Sequence, residues 1–378
     1  MSNRWKGGFI QAYFDPLTEG PLEDFGPLYV WGDNNLGQVG NDSVVDASSP
    51  VQIGSESWKA IGSGDNHSLA IKNNGTLWAW GQGDQGQLGQ SDIIQRSSPV
   101  QIGALTTWSV ISAGRDNSFG IKTDGTLWAW GINSSGVLGI SSTVKKSSPV
   151  QVGALTDWAK IHAGAQATHG IKTDGTAWAW GRGDTYGLLG NSTFISASSP
   201  VQIGSDTNWK TINCGALSVQ AIKTDGTLYG WGYNLFGDVG NNNTTVYNSP
   251  VQIGGLTNWE YVVKGCESYS SLSVKTDDTL WTWGSNQFGR LGDNTTIYRS
   301  SPVQVGALTD WYEGSCGATL HCIKNDGTLW SLGAQANQGS GGTGEASFQN
   351  SSPVQVGALT TWAAIVSGDV TPVAFLKS

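Results

Sequence analysis

The sequence predicts an all-β fold, a seven-bladed β-propeller of four-stranded antiparallel blades, on three observations. A Trp-Gly pair recurs at Trp31-Gly32, Trp80-Gly81, Trp130-Gly131, Trp180-Gly181, Trp231-Gly232 and Trp283-Gly284, and a seventh copy reads Leu332-Gly333. The segment Ile121 to Gly131, IKTDGTLWAWG, returns in near copies at that same spacing of about fifty residues, the mark of a repeat architecture. The chain ends carry complementary halves of the repeat. Leu28-Tyr29-Val30-Trp31-Gly32 lacks the Ile-Lys-Thr-Asp-Gly half, while Ala374-Phe375-Leu376-Lys377 stops where the Asp-Gly turn would begin. An N-terminal strand that completes the sheet begun by C-terminal strands closes the ring and leaves few exposed edges.

Each unit divides into strands in the same order. Trp158-Ala159-Lys160-Ile161 is a short alternating strand, followed by a variable loop and the strand His169-Gly170-Ile171-Lys172. Asp174-Gly175 supplies the positive φ of a tight hairpin, and Thr176 to Trp180 is the return strand. Where Asp278 replaces the glycine, a strained but intact turn is expected. A loop such as Ile132 to Gly139 follows, then Ser-Ser-Pro-Val-Gln. The proline recurs at 50, 99, 149, 200, 250, 302 and 353, which suits the start of an outer edge strand. The next unit opens on Trp58, Trp108, Trp158, Trp209, Trp259, Trp311 or Trp362. Each of these indoles buries roughly 150–250 Å², on the order of 4–6 kcal/mol before entropy, so they read as inter-blade packing.

Residues 1–26 match no part of the repeat and are set apart from the propeller of 27–378. Phe9, Ile10, Tyr13, Phe14 and Leu17 concentrate apolar surface there, and Pro16, Pro21 and Pro27 oppose one continuous helix. Such a segment either packs on the propeller's own edge or serves as a docking arm.

Composition narrows the function. A net charge of −9 gives no basic footprint for a phosphate backbone, so nucleic acid is not an expected partner. Four cysteines without a CxxC pair indicate neither a disulfide framework nor a zinc site. Cys214 and Cys316 stand five residues after their unit's Trp, where Ser63, Ala113, Ala163, Lys264 and Ser367 stand elsewhere, and read as compact filler. A Cys316–Cys322 pairing across a hairpin is the alternative. His67, His162, His169 and His321 fall in different units, so no nucleophile, base and orienting acid recur together. No catalytic residue, metal or cofactor is expected. The chain shows neither a signal-peptide pattern nor an apolar run long enough for membrane insertion.

The variable loops carry the candidate ligand contacts. Tyr247 and Tyr298 stand at what read as equivalent places in NNNTTVYN and DNTTIYRS, and Tyr233, Phe236 and Phe288 follow neighbouring Trp-Gly pairs. Aromatic rings beside Asn and Thr suit a glycan or protein contact surface or, equally, packing between adjacent blades.

The combination of Gly-Thr-Leu-Trp-Ala-Trp-Gly, the Asn-x-x-Gly-x-Leu-Gly of Asn286 to Gly292, and Pro-Val-Gln resembles the RCC1-like repeat family over residues 28–377. That resemblance implies a seven-bladed propeller closed by both termini. The eukaryotic namesake is an exchange factor for a small GTPase that binds chromatin; a basic tail is missing here, and the usual histidine survives only as His67. The alikeness of the repeats (Gly-Ala-Leu-Thr at 103, 153, 306 and 357), with the arm Trp5 to Pro16, is similar to RCC1-like proteins encoded by bacteriophages. This implies a non-enzymatic virion structural module, in the tail, neck or another exposed position, docked to other virion proteins by its arm. The alternative is a soluble bacterial protein that binds a glycan or protein, including one on a host surface. The expected location is the virion if phage-encoded, and otherwise the cytoplasm.

Overall fold

The computed structural model describes residues 25–264, 269–317, 319–335, 340–344, 348–368 and 371–377. The candidate arm residues Phe9, Ile10, Tyr13, Phe14 and Leu17 lie outside them. Seven four-stranded antiparallel sheets form a ring. Blade 1 consists of Trp58–Ser63, His67–Lys72, Leu77–Gly81 and Arg96–Gln101, from the ring axis outward. Blades 2 to 6 repeat this order from Trp108, Trp158, Trp209, Trp259 and Trp311. Blade 7 is composite: Trp362–Ser367 and Pro372–Lys377 are inner, and the N-terminal Phe25–Gly32 and Ala47–Ile53 are outer. The ends meet in register, with Leu28 opposite Phe375 and Val30 opposite Val373, and Phe25 stacks on Phe375 at 4.8 Å. No helix among the described residues is long and apolar enough to cross a membrane.

The recurring hairpin is a hydrogen-bonded unit. In blade 2, Asp124 accepts from the N–H and hydroxyl of Thr126, whose Oγ1 accepts from the Trp128 indole at 2.9 Å. The Lys122 ammonium sits 3.5 Å from the centre of the Trp128 ring. Thus Lys, Asp, Thr and Trp of the repeated phrase each hold the next. At Asp278 the turn is intact at φ 61°, with its N–H on the Lys275 carbonyl, and its carboxylate accepts from Asn325.

Each seam between blades joins an aliphatic face to a tryptophan face. Leu69, Ile71, Leu77 and Ile102 of blade 1 pack against Trp108 and Trp130 of blade 2. Four of the Trp-Gly tryptophans also donate back into the preceding loop: Trp31 to the Ser340 carbonyl, Trp80 to that of Gln38, Trp130 to that of Gln87 and Trp231 to that of Leu188. A Cβ on Gly40 would lie 2.6 Å from the Trp80 indole, so the last glycine of the loop phrase is space made for the next blade.

The repeated proline differs from its expected place. Pro99 lies inside Arg96–Gln101, where the ladder skips between the pairs Gly81–Arg96 and Ala79–Val100. A bulge already interrupts the hydrogen bonds there, so the missing N–H costs nothing.

Candidate functional site

Antiparallel pairing sorts the connections onto two faces. One face carries the Asp-Gly turns and the links into each innermost strand; the other, the loop face, carries the first loop of each blade and the long loop after each Trp-Gly pair. The turn face repeats nearly without change. The loop face breaks the sevenfold pattern across blades 3 to 5.

There the aromatic side chains form one strip. Tyr186, from the long loop of blade 3, meets Tyr233 of blade 4 at 5.4 Å between ring centres. Tyr233, Phe236 and Tyr269 contact one another pairwise at 5.6–6.1 Å, and Phe236 meets Tyr298 of blade 5 at 5.2 Å. All five contacts are edge-to-face, the arrangement that brings a ring's positive edge onto a negative face. The strip runs from Tyr269 in the first loop of blade 5 outward to Tyr298, which is 44% exposed, and Leu235 beside it is 59% exposed. Arg182 stacks on Tyr186 at 5.4 Å.

Tyr233, Phe236 and Tyr298 are therefore brought together in one strip of rings that packs across blade seams. Tyr247 stands apart, its hydroxyl accepting from the Asn243 amide. Its supposed equivalence to Tyr298 is off by one residue: Tyr247 pairs with Gly232, whereas Arg299 pairs with Gly284. Phe288 sits one seam further round, 41% exposed and in the left-handed region at φ 74°. Such a conformation is rare for a bulky side chain. Sequence reasoning missed Tyr186 and Tyr269. Tyr186 lies in a stretch from the Trp-Gly pair to the repeated proline that is one residue longer than in blades 1, 2, 4, 5 and 7, and Tyr269 stands where the strand starts elsewhere place Asn66, Asp116 and Gln166. Aligning the units on their strand starts would have exposed both.

Two ionisable groups of blades 4 and 5 are withdrawn from water. Asp238, in the same loop as Phe236, is wholly buried; one carboxylate oxygen accepts from the Phe236 N–H and the other has no hydrogen-bond partner among the described residues. Burial raises its pKa to about 6, against the pull of Lys264. Lys264 directly follows the innermost strand Trp259–Val263 and is 3% exposed, with its ammonium lacking a hydrogen-bond partner among the described residues. Burial lowers its pKa, while Asp238, Cys316 and Cys214 oppose the shift. The Cys214 thiol is pushed up to about 12 by burial. Cys316 lies opposite Leu320 and Cys322 opposite Gly314, so these two do not face each other across the hairpin, and neither is in a disulfide.

Contrary to the sequence reading, the four histidines do not all fall in different units: His162 and His169 lie opposite each other in blade 3 and both meet blade 4, while His67 and His321 sit at two other seams. His67 Nε2 pairs with the Ser118 hydroxyl, His169 Nε2 with the Leu188 carbonyl, and His321 Nδ1 with the Ser367 hydroxyl, while His162 Nδ1 accepts from the Cys214 N–H. Among the described residues no group of three or more His, Cys, Asp or Glu is placed to hold a metal ion.

Comparison with known proteins gives these observations a context. A family model described as the RCC1-like domain matches residues 21–266, and a regulator of chromosome condensation (RCC1) repeat matches residues 277–323. The mitochondrial RCC1 domain-containing protein RUG3 of Arabidopsis thaliana is 24% identical over 153 residues, 40% of this chain and 34% of that protein. The ultraviolet-B receptor UVR8 of the same plant is 28% identical over 115 residues, 30% of this chain and 26% of its own length. The matched stretches span about a third or less of these relatives. Among solved structures, human WBSCR16 superposes with a TM-score of 0.82 at 18% identity, covering 93% of this chain and 99% of its own. Yeast RCC1 (Prp20) bound to Kap60 gives 0.84 at 16%, covering 100% and 96%. At such identities the structural likeness speaks to the fold alone.

Proposed function

The chain belongs to the RCC1-like domain family, and from that premise we propose that it is a protein-binding propeller that meets its partner with the loop face of blades 3 to 5. The aromatic strip of Tyr186, Tyr233, Phe236, Tyr269 and Tyr298 carries this reading. In a ring of seven like units, a binding site is where the units cease to be alike. The turn face is occupied by the Lys-Asp-Thr-Trp hairpins, whose polar groups are already matched to one another. The strip instead offers rigid, half-exposed rings, the side chains that dominate the binding energy of protein interfaces. Phe288 extends it by one seam.

The loop amides favour a protein over a glycan. Asn234 donates to Asn241, Asn243 and the Thr245 carbonyl, and Asn286 to Asp293 and Thr295. These side chains are committed to holding their own loops, which leaves few polar groups for sugar hydroxyls. Yeast Prp20, a propeller of this shape, was solved with Kap60 and studied for its binding to Gsp1p and histones, so protein partners suit the scaffold. The narrower expectation of a virion component docked by residues 1–26 draws on repeat likeness and arm composition alone; the plant, human and yeast relatives lend it nothing.

The test is affinity capture from the source cells with quantitative mass spectrometry. A Phe236→Ser, Tyr298→Ser variant should release the captured partner at least tenfold while retaining its melting temperature within a few degrees. A Leu308→Ser, Leu359→Ser variant on the turn face should retain the partner. The reading fails if the strip variant keeps its partner or the turn-face variant alone loses it.

A further inference from the structure

We infer that the partner segment received by the aromatic strip is uncharged and apolar, held by side-chain packing rather than by ion pairs. The inference rests on the partner-binding reading above and names the chemistry of what is bound. A chain of net charge −9 would by itself suggest a basic partner. The residues around the strip oppose that. The long loops of blades 3 to 5, taken with Arg299, carry Arg182, Arg290 and Arg299 against Asp184, Asp238 and Asp293, and so balance. The acidity lies elsewhere, as in the long loop of blade 7, which has Asp33, Asp42 and Asp46 and no basic residue.

The charges that are present are engaged within their own loops. At one end of the strip Arg182, stacked on Tyr186, donates from Nε to Asp184 at 2.5 Å and from Nη1 to Gln166 at 2.7 Å. At the other end Arg299, next to Tyr298, donates from Nε to Asp293 at 2.7 Å and from Nη2 to Thr295 at 3.3 Å. The Asp293 carboxylate accepts from Asn286 and Thr295 as well, and its side chain is only 3% exposed. Arg290 Nε and the Asp238 side chain are withdrawn from water. A guanidinium grips a carboxylate or phosphate through a free fork, and both forks here turn back on the chain. A charged segment would find its counter-charge only by breaking a contact already made.

What the loops leave open is apolar. Besides Leu235, the same three loops present Phe194, Ile195 and Ile297, each at least half exposed. Together with the ring of Tyr298 they offer surface whose burial is favourable with no charge opposite it. A segment that brings two or more aliphatic or aromatic side chains is the ligand that fits such a surface.

The test selects a displayed library of random twelve-residue peptides on the immobilised full chain and measures the affinity of the selected peptides in solution. They should carry aliphatic and aromatic side chains without net charge, and bind at least tenfold more weakly to the Phe236→Ser, Tyr298→Ser variant. Between about 50 and 500 mM sodium chloride, which screens ion pairs, their affinity for the wild type should change less than about threefold. Strip-dependent peptides that share a net charge, or that weaken threefold or more with salt, overturn the inference and leave the partner-binding reading standing. A selection that yields no peptide sensitive to the strip variant overturns that reading, and this inference with it. If the variant does not fold, the charge of the peptides and the salt response of the wild type decide by themselves.

Discussion

The backbone N–H of Cys214 donates to Nδ1 of His162 at 3.0 Å, tying the innermost strand of blade 4 to that of blade 3. The bond requires an unprotonated Nδ1. Burial, aided by the neighbouring His169, lowers the His162 pKa to about 3, and burial brings His67 to about 3 and His169 and His321 to about 4. In the unfolded chain each returns to its ordinary value of about 6.5.

Between these values the unfolded state binds more protons, so stability is full above about pH 6.5 and falls as the pH drops toward 3. Each histidine contributes about 1.4 kcal/mol per pH unit in that window. His162→Gln, which keeps an acceptor but cannot titrate, should therefore lose less melting temperature than wild type between pH 6.5 and 4. Identical pH profiles in thermal melts would show that His162 does not titrate on unfolding.

Glu313 acts with the opposite sign. It is buried at the seam of blades 5 to 7, and desolvation raises its pKa well above the usual carboxylate value, although the Ile365 N–H donates to it. A carboxyl raised on folding stabilises at low pH and loses that contribution as the pH climbs toward its folded value. Glu313→Gln should raise the melting temperature at pH 8 and leave it nearly unchanged at pH 4. A drop at pH 8 would mean that the ionised form is the one the fold prefers.

Gly125 and Gly153 separate backbone conformation from crowding. Both have positive φ, 76° and 62°, but a Cβ on Gly125 would lie 2.1 Å from the Thr156 carbonyl, whereas nothing lies within 4 Å at Gly153. Gly153→Ala should cost about 1 kcal/mol from conformation alone. Gly125→Ala should cost at least roughly 3 kcal/mol, because the link into the next blade must move as well. Chemical denaturation of the two variants measures the difference, and equal losses would remove the crowding account.

That contrast shows where the sequence was legible. Asp124-Gly125 announced a hairpin because the requirement is local: two residues and a positive φ. Blade number and ring closure were equally plain, since Phe25–Gly32 and Pro372–Lys377 each lack the half that the other supplies. The second duty of Gly125, clearing the Thr156 carbonyl, was hidden because it concerns a neighbour thirty residues away. The site was harder still. Tyr186, Tyr233, Tyr269 and Tyr298 come from three blades and meet only when the ring is formed. The burial of Lys264 and of Asp238 likewise arises once the blades are assembled rather than from any local pattern.

Phe288 offers a test in which stability and function move in opposite directions. Its φ of 74° places a bulky side chain in the left-handed region, and its ring is 41% exposed, so the fold bears the strain without burying the ring in return. Strain of this kind costs on the order of 1–3 kcal/mol and gathers where a side chain must be presented. Glycine adopts the conformation without penalty. Phe288→Gly should therefore stabilise the chain by about 1 kcal/mol in denaturant titrations. If Phe288 extends the contact strip, the same variant should bind the captured partner several-fold more weakly. Ser135 occupies the corresponding place in blade 2 at φ 59° and serves as the control, because Ser135→Gly should stabilise without touching binding. A Phe288→Gly protein that is both more stable and equally competent to bind would confine the contact surface to blades 3 to 5 and leave this ring as strain without a use.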